Sequence, residues 1–161
     1  METVLRILRK HKLYAKTTKC EFGKIQIEFL GHIVSHNGIA PDPKKLEAIV
    51  QWPVPETVRD VRGFMGLSNY YRSSAKGFAT VSAPLTRLMS DKIKGKLPWT
   101  QEEQVAFNKV KQIMITAPVL AIPDPDKQFT VQVDASQVGL GATLTQKFEG
   151  HDRVIAYHSR E

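Results

Sequence analysis

Alternation of apolar and polar side chains near the C-terminus constrains the fold more than any other feature of this sequence. In residues 129–133, Val131 and Val133 alternate with Thr130 and Gln132, and residues 139–146 repeat the pattern. A period of two predicts β-strands, because successive side chains of a strand point to opposite faces. We therefore expect an antiparallel sheet of three strands, at 129–134, 139–146 and 153–158. Its apolar face requires a partner, since otherwise an apolar patch and an open edge invite self-association.

The preceding part of the chain carries helical patterns and capping signals. Thr100 and Glu103 have the spacing of a capping box, and Asp42 can cap a short helix. Helices are predicted at 2–12, 44–52, 57–72, from about Ser82 with Pro84 in its first turn, and 100–116. The buried face of the 57–72 helix is expected to hold Val61, Phe64, Met65, Leu67, Ser68 and Tyr71. The last of these helices could fold back and cover the apolar face of the sheet.

Residues 24–43, KIQIEFLGHIVSHNGIAPDP, predict a β-hairpin that turns at the HNG of 36–38. A proline-punctuated linker follows the helices, with a domain boundary near 123–127. The expected fold class is α+β, in which a helical module with a β-hairpin is joined to the three-stranded sheet.

The chain is strongly basic, with a formal net charge of +7 and a sequence pI of about 9.6. Residues 1–24 contain seven Lys or Arg against two Glu, a local excess of +5. This balance favours a polyanionic partner such as nucleic acid, and the alternative is an ordinary solvated basic surface.

The expected location is intracellular, either cytoplasmic or nuclear, with no membrane partner. No apolar run approaches the roughly 18 residues of a membrane span, and basic residues interrupt the N-terminal segment where a signal peptide would be apolar. Cys20 is the only cysteine, so no intrachain disulfide can form. A zinc site is also improbable with one cysteine and no CxxC pair.

Arg62, Gly66 and Tyr70 are spaced i, i+4 and i+8, which places them in one line along the 57–72 helix. Glycine inside a helix costs about 1 kcal/mol relative to alanine, so a close approach by another surface is expected at Gly66. A basic residue, a bare backbone and an aromatic ring in line suit the shallow minor groove of an A-like duplex. The alternative is tight helix–helix packing at Gly66.

Two further positions are ambiguous from the residues alone. Gly31, in FLGHIVS, predicts a bulge or a close backbone approach, or it simply relieves the twist of a strand. Asp134 follows the last apolar residue of a strand, which is a common position for a ligand of a divalent cation. The alternative for Asp134 is a capping or turn aspartate.

The segments taken in order resemble the pol polyprotein of gypsy-type LTR retrotransposons. The resemblance rests on LRKHKLYAKTTKCEF, EFLGHIVSHNGIAPDPKKLEAI, WPVPETVRDVRGFMGLSNYYR, APLTRLM, WTQEEQVAFNKVK, APVLAIPDPDKQFTVQVDASQVGLGATLTQ and RVIAYHSR. It implies that 1–43 is the end of a reverse-transcriptase palm with a primer-grip-like hairpin. It implies thumb and connection helices at 44–122 and a truncated RNase H-like domain at 123–161.

The resemblance also implies roles for the ambiguous residues. Those that match the primer grip, which holds the primer 3′ end, are Phe29, Leu30, Gly31 and His32. Arg62, Gly66 and Tyr70 match the thumb-helix track along the minor groove of the template–primer. Asp134 matches the first carboxylate of the RNase H metal site, which binds Mg²⁺ in the intact family enzyme.

The resemblance further implies that neither active site is complete within these residues. The [YF]xDD aspartates of the polymerase would lie before residue 1, and the other RNase H acids beyond Glu161. Asp134 alone would then bind a cation weakly if at all, with no stably held Mg²⁺. Ser73, Ser74 and Ala75 replace the family's usual basic-aromatic run after YYR, which predicts a weakened thumb core.

The expected function is that of a reverse transcriptase/RNase H fragment that binds template–primer or RNA–DNA hybrid and is inactive alone. Missing portions of pol, or a second copy bound through the open sheet, are further expected partners. The alternative is a coopted, non-enzymatic module that binds protein or RNA.

Overall fold

The computed structural model describes residues 1–136 and 139–160 and confirms an α+β fold. Two 3₁₀ turns, Thr17–Lys19 and Arg72–Ser74, accompany the main elements. These are α1 (Glu2–Lys10), β1 (Gln26–Phe29), β2 (His32–Ser35), β3 (Gly38–Pro41), α2 (Pro43–Val50), α3 (Val58–Tyr70), α4 (Phe78–Arg87), α5 (Gln101–Ile115), β4 (Phe129–Ser136), β5 (Gly139–Phe148) and β6 (His151–Arg160). Among the described residues, none of these helices has the length and apolar character needed to cross a bilayer.

Local capping determines where α3 and α5 begin. Thr57 Oγ1 accepts a hydrogen bond from the backbone N–H of Asp60 at 3.2 Å, and the Asp60 carboxylate accepts from Thr57 N at 2.9 Å. The hydroxyl and backbone N–H of Thr57 lower the pKa of Asp60. Thr100 and Glu103 form the same reciprocal pair at α5, so the predicted capping box is confirmed.

The core lies where α2, α3, α4 and α5 pack together. Phe64 and Phe107 form its centre, with ring centroids 4.6 Å apart. Other side chains that are almost fully buried here are Ile49, Val61, Met65, Tyr71, Leu85, Val110 and Met114. The face predicted for the 57–72 helix is therefore buried, with Leu67 only partly covered.

The start of α4 differs from the prediction. The helix begins at Phe78 rather than near Ser82, so Pro84 lies in its interior instead of in its first turn. Gly77, at φ +68°, provides no side-chain cap. Instead, Ser159 Oγ on β6 accepts a hydrogen bond from the backbone N–H of Ala79 at 2.9 Å. Because this cap comes from 80 residues away, no local sequence signal could reveal it.

Residues 26–41 form a three-stranded antiparallel meander rather than the single predicted hairpin. The turn at 36–38 is present, since Ser35 pairs with Gly38. A second turn occupies Leu30 and Gly31, with Phe29 paired to His32. Gly31 is therefore a turn residue and not a bulge within a strand.

The C-terminal strands form the predicted antiparallel sheet, in the order β4-β5-β6. All three strands extend beyond their predicted ends, and a tight turn at Glu149 and Gly150 joins β5 to β6. The cover of β6 comes chiefly from α4 and the Arg72–Ser74 turn rather than from α5. On the opposite face, Val131 and Val133 are 61% and 68% exposed.

The segment before β4 connects the two sheets. Leu120 exchanges two backbone hydrogen bonds with Ile39, at 2.8 and 2.9 Å, and Ala121 N donates to Val154 O at 2.7 Å. The buried side-chain amide of Gln146 donates to the carbonyl oxygens of Asp124 and Lys127. The proline-punctuated linker is thus tied to both sheets, and the division into three domains stays a prediction.

Candidate nucleic-acid interface

The turn at Leu30 and Gly31, called the 30–31 turn below, has an unusual backbone conformation. Leu30 has φ +46° and Gly31 has φ +69°. Two consecutive positive φ values are typical of the type I′ hairpin turn, which favours Asn or Gly at both positions. Leucine in this region is uncommon and costs of order 1–3 kcal/mol, so surrounding contacts must hold it there.

Two consecutive tyrosines at the end of α3 provide those contacts. The hydroxyl of Tyr70 donates a short hydrogen bond to the carbonyl oxygen of Leu30. The hydroxyl of Tyr71 donates to the carbonyl oxygen of Gly31 at 2.8 Å. The His32 ring lies against both tyrosines, with centroid distances of 5.4 and 5.3 Å. The predicted primer-grip residues and the end of the helix track are therefore in direct contact.

Burial distinguishes the two tyrosines. Tyr71 is 1% exposed, and burial, followed by the nearby Asp42 carboxylate, raises its pKa to about 12. Its phenol therefore stays protonated and able to donate at neutral pH. Tyr70 is 52% exposed, so one side of its ring faces solvent.

A groove of about 380 Å³ lies between the 30–31 turn and α3. Its walls are Leu30, Gly31, Lys45, Gly66, Leu67, Tyr70 and Tyr71. The groove joins two sets of site residues that are distant in sequence, and its lining includes one lysine from α2.

Gly66 lies on the open side of this groove. A Cβ atom built on Gly66 would meet no other heavy atom within 4 Å. The alternative of tight helix packing at Gly66 is therefore wrong. A close contact occurs instead one turn earlier, at Gly63, where a Cβ would lie 3.2 Å from Cζ2 of Trp52, in the segment that follows α2.

Arg62 lies on the same exposed stripe of α3 but is engaged within the chain. Its Nη2 donates to the carbonyl oxygen of Met89 at 2.6 Å and also forms a short ion pair with Asp91. The guanidinium lowers the pKa of Asp91 through a hydrogen bond and through its charge. Asp91 is highly exposed, so this pair contributes little to stability.

Asp134 lies within β4, two residues before its end, and pairs with Gly141 of β5. It lines a cavity of about 300 Å³ between the sheet and the first turn of α4. Lys76 and Thr80 form the opposite wall. Among residues 1–136 and 139–160, no group of three or more His, Cys, Asp or Glu side chains could hold a metal ion.

The residues around Asp134 thus do not fit a two-metal centre by themselves. Such a centre needs several carboxylates to bring two cations about 4 Å apart. Among the described residues that line this cavity, the other ionised side chain is that of Lys76. No step of metal chemistry is derived from this cavity.

Sequence reasoning missed two residues that line the groove. It placed Tyr71 only in the buried core, whereas its hydroxyl contacts the 30–31 turn. It also missed Lys45, which lines the groove. Tyr70 and Tyr71 lie 40 residues from Leu30 and Gly31, and no local pattern relates the two pairs, so only the tertiary fold reveals the contact.

Comparison with known proteins identifies the class to which this fold and groove belong. Residues 99–161 match a family described as the RNase H-like domain found in reverse transcriptase. The solved foamy viral protease-reverse transcriptase in complex with double-stranded DNA superposes with a TM-score of 0.85 at 22% identity. That match covers 99% of this chain and 28% of the viral chain. The fold is therefore that of a reverse-transcriptase-related protein.

Sequence relatives define the family more narrowly. The Pol polyprotein of the Drosophila melanogaster transposon opus is 38% identical over 169 residues, and that of gypsy is 35% identical over 157 residues. An uncharacterized mitochondrial protein of Arabidopsis thaliana is 43% identical over 132 residues, which is 81% of this chain and 82% of that protein. The chain belongs to the retrovirus-related Pol polyproteins of gypsy-type retrotransposons. It spans 17% and 15% of the length of the opus and gypsy polyproteins.

Proposed function

We propose that this chain binds a template–primer duplex or an RNA–DNA hybrid through the 30–31 turn and the exposed stripe of α3. The observation that carries the proposal is the open space over Gly66, beside a turn held by Tyr70 and Tyr71. Glycine inside a helix lowers stability relative to alanine, and at Gly66 no packing contact within the chain offsets that loss. Close approach of a nucleic-acid backbone to α3 would explain why glycine is present there.

The geometry suits the shallow minor groove of an A-like duplex. The bare backbone at Gly66 permits contact with ribose edges, and the exposed face of Tyr70 adds an aromatic surface beside it. Lys45 supplies positive charge at the rim of the groove. In this proposal the turn residues Phe29 to His32 face the primer strand, as the resemblance to the primer grip implies.

In this proposal Arg62 is not a free side chain, because it already pairs with Asp91 and must exchange that partner to bind a phosphate. Its side chain is 48% exposed, and its partner Asp91 is 91% exposed. Exchange of an exposed carboxylate for a phosphate has little free-energy cost, because both pairs are solvated. The basic N-terminal segment, in which α1 has no buried residue, offers further exposed positive charge.

Solved relatives support the choice of ligand. Foamy viral protease-reverse transcriptase has been solved with double-stranded DNA and with an RNA/DNA hybrid, and those matches cover 99% of this chain. Binding of nucleic acid by this chain remains our proposal, because the identity to those proteins is 22%.

A salt titration tests the proposal. Fluorescence anisotropy with a labelled RNA–DNA hybrid should give an affinity that falls linearly on a log–log plot as salt rises, because phosphate contacts release counterions. Gly66→Val should weaken binding at every salt concentration, whereas Gln112→Val, which places valine at an exposed position of α5 outside the groove, serves as the matched control. Absence of binding at low salt, or equal affinity of the Gly66 and Gln112 variants, would contradict the proposal.

We also propose that these 161 residues have no polymerase or RNase H activity of their own. They contain no [YF]xDD turn, and among the described residues that line its cavity Asp134 is joined by a lysine and by no further carboxylate. Two-metal phosphoryl transfer requires carboxylates that hold both cations.

A second candidate function is a protein-interaction module. The observation that favours it is the apolar face of β4 and β5, where Val131, Val133 and Leu140 are all more than half exposed. Exposed apolar patches mark interaction sites. Salt-independent retention of a protein partner, without hybrid binding at low salt, would favour this function over the first.

A further inference from the structure

We propose that Tyr70 and Tyr71 are positioning residues that hold the 30–31 turn against α3 in a single orientation. This role differs from direct contact with nucleic acid, which is what the position of Tyr70 on the helix track implies. Only the effect of the tyrosines on nucleic-acid binding rests on the proposed function. Their effect on the conformation of the 30–31 turn is a property of the free chain.

The first step of the argument is the pairing of the turn's carbonyl groups. Each carbonyl oxygen has two lone pairs and can accept two hydrogen bonds. Gly31 O accepts from Tyr71 Oη at 2.8 Å and from Asp42 N at 3.1 Å. Leu30 O accepts from Tyr70 Oη, and His32 Nδ1 lies 3.0 Å from it. Two consecutive carbonyls of one turn therefore each accept a hydrogen bond from a tyrosine at the C-terminal end of α3.

The second step is the strain at Leu30. Its φ of +46° is sparsely populated for a residue with a branched apolar side chain. Strained backbone persists where the surrounding structure over-determines it, and it occurs often at functional sites. The tyrosines provide that constraint from an element 40 residues away, whereas a turn of this type would need no such support with Asn or Gly at the first position.

The third step of the argument is the surface that the constrained turn exposes. With both carbonyls directed to α3, the side chains of Phe29 and Leu30 remain 60% and 71% exposed. The aromatic cluster of His32, Tyr70 and Tyr71 fills the space behind them, with the two tyrosine rings 4.9 Å apart. The turn and Gly66 consequently form the groove at a fixed separation. A duplex that touches both meets a preorganised surface and orders fewer groups on binding.

Hydrogen exchange of the free chain tests the role of the tyrosines without any nucleic acid. Tyr70→Phe removes one hydroxyl from a half-exposed ring, so the fold should persist. Amides of residues 26–41 should then exchange about fivefold faster, the factor that corresponds to one lost hydrogen bond. Amides of α5 should keep their rates. Tyr14→Phe, which alters a ring that is 93% exposed, is the matched control and should change neither region.

A rescue variant separates positioning from a general loss of stability. Leu30→Asn suits the positive φ at the first turn position, so it should hold the turn without help from the hydroxyl. The double variant of Leu30→Asn with Tyr70→Phe should therefore exchange at nearly the rate of the parent. Tyr71→Phe should repeat the effect of Tyr70→Phe at the second carbonyl.

The outcomes for exchange and for binding are independent. Unchanged exchange of residues 26–41 in both tyrosine variants overturns the positioning role, whatever happens to affinity. Reduced hybrid affinity of Tyr70→Phe with unchanged exchange also overturns it, because the hydroxyl then acts by direct contact with the nucleic acid. Failure of the parent chain to bind hybrid overturns the proposed function, and the exchange result still decides the role of the tyrosines.

Discussion

Gly63 and Trp52 are in close contact: a Cβ on Gly63 would lie 3.2 Å from Cζ2 of the indole ring. Gly66, one turn further along the same helix, has open space at the equivalent position. The two glycines of α3 therefore serve different purposes, one for packing and the other for an exposed surface.

The first prediction compares these glycines. Gly66→Ala should raise the free energy of unfolding by roughly 0.5–1 kcal/mol, because alanine has the higher helix propensity and meets no neighbour. Gly63→Ala should gain less or lose stability, since the Trp52 ring must shift. Urea denaturation of both variants measures the difference. If Gly66→Ala were less stable than the parent, Gly66 would have a packing role in the fold and the prediction would be wrong.

The second prediction concerns the pH dependence of stability. The pKa of Tyr71 is about 12 in the folded chain against an ordinary value of 10.0, so folding favours the protonated phenol. Its contribution is fully present below pH 10 and is lost as the pH rises toward 12. Above pH 10 the free energy of unfolding should fall by up to about 1.4 kcal/mol per pH unit from this group. Unfolding curves of Tyr71→Phe should lack that part of the slope, and identical slopes would refute the assignment.

The third prediction concerns Ser74. Its hydroxyl is buried and has no hydrogen-bond partner within the described part of the chain. An unpaired buried hydroxyl costs about 1–3 kcal/mol, so Ser74→Ala should stabilise the chain by about 1 kcal/mol. Thermal unfolding measures the change, with the neighbouring Ser73→Ala as control. A loss of stability would show that the hydroxyl is hydrogen-bonded in solution and would contradict the prediction.

The fourth prediction concerns self-association through the sheet. Strand β4 lies at the edge of its sheet and contains no Lys, Arg or Pro that would discourage pairing. Val133→Lys should reduce self-association, as measured by sedimentation velocity over a concentration series. Thr130→Lys places the same charge on the opposite face and should have a smaller effect. A parent chain that stays monomeric throughout would exclude association by this route.

The fifth prediction concerns catalysis by the 161-residue chain. With Mg²⁺ present, it should neither extend a primer nor cleave the RNA strand of a hybrid, because Asp134 is not joined by other carboxylates in the described residues. Gel assays of both reactions measure the outcome. Cleavage that disappears in Asp134→Asn would show that the chain has a functional metal site.

Local patterns in the sequence were sufficient for the helix faces and for two helix starts. Val61, Phe64 and Met65 follow helical spacing and are buried, and the capping boxes at Thr57 and Thr100 use partners three residues away. The alternation in 129–146 likewise determined the C-terminal sheet. These features depend on neighbours in the chain, so the order of residues specifies them.

Tertiary contacts decided the features that a local pattern could not specify. Ser159 caps α4 at Ala79, which moves the start of the helix to Phe78 and leaves Pro84 in its interior. Tyr70 holds Leu30 in a turn where the sequence suggested a continuous strand.

For the candidate site too, the sequence predicted some features and the tertiary structure decided others. The i, i+4, i+8 spacing placed Arg62, Gly66 and Tyr70 on one stripe, but only the fold brought Gly31 beside Gly66 and directed Arg62 to Met89. The physical reason is that spacing along a helix determines which residues share a face. What lies opposite that face depends on packing between segments 27 to 80 residues apart.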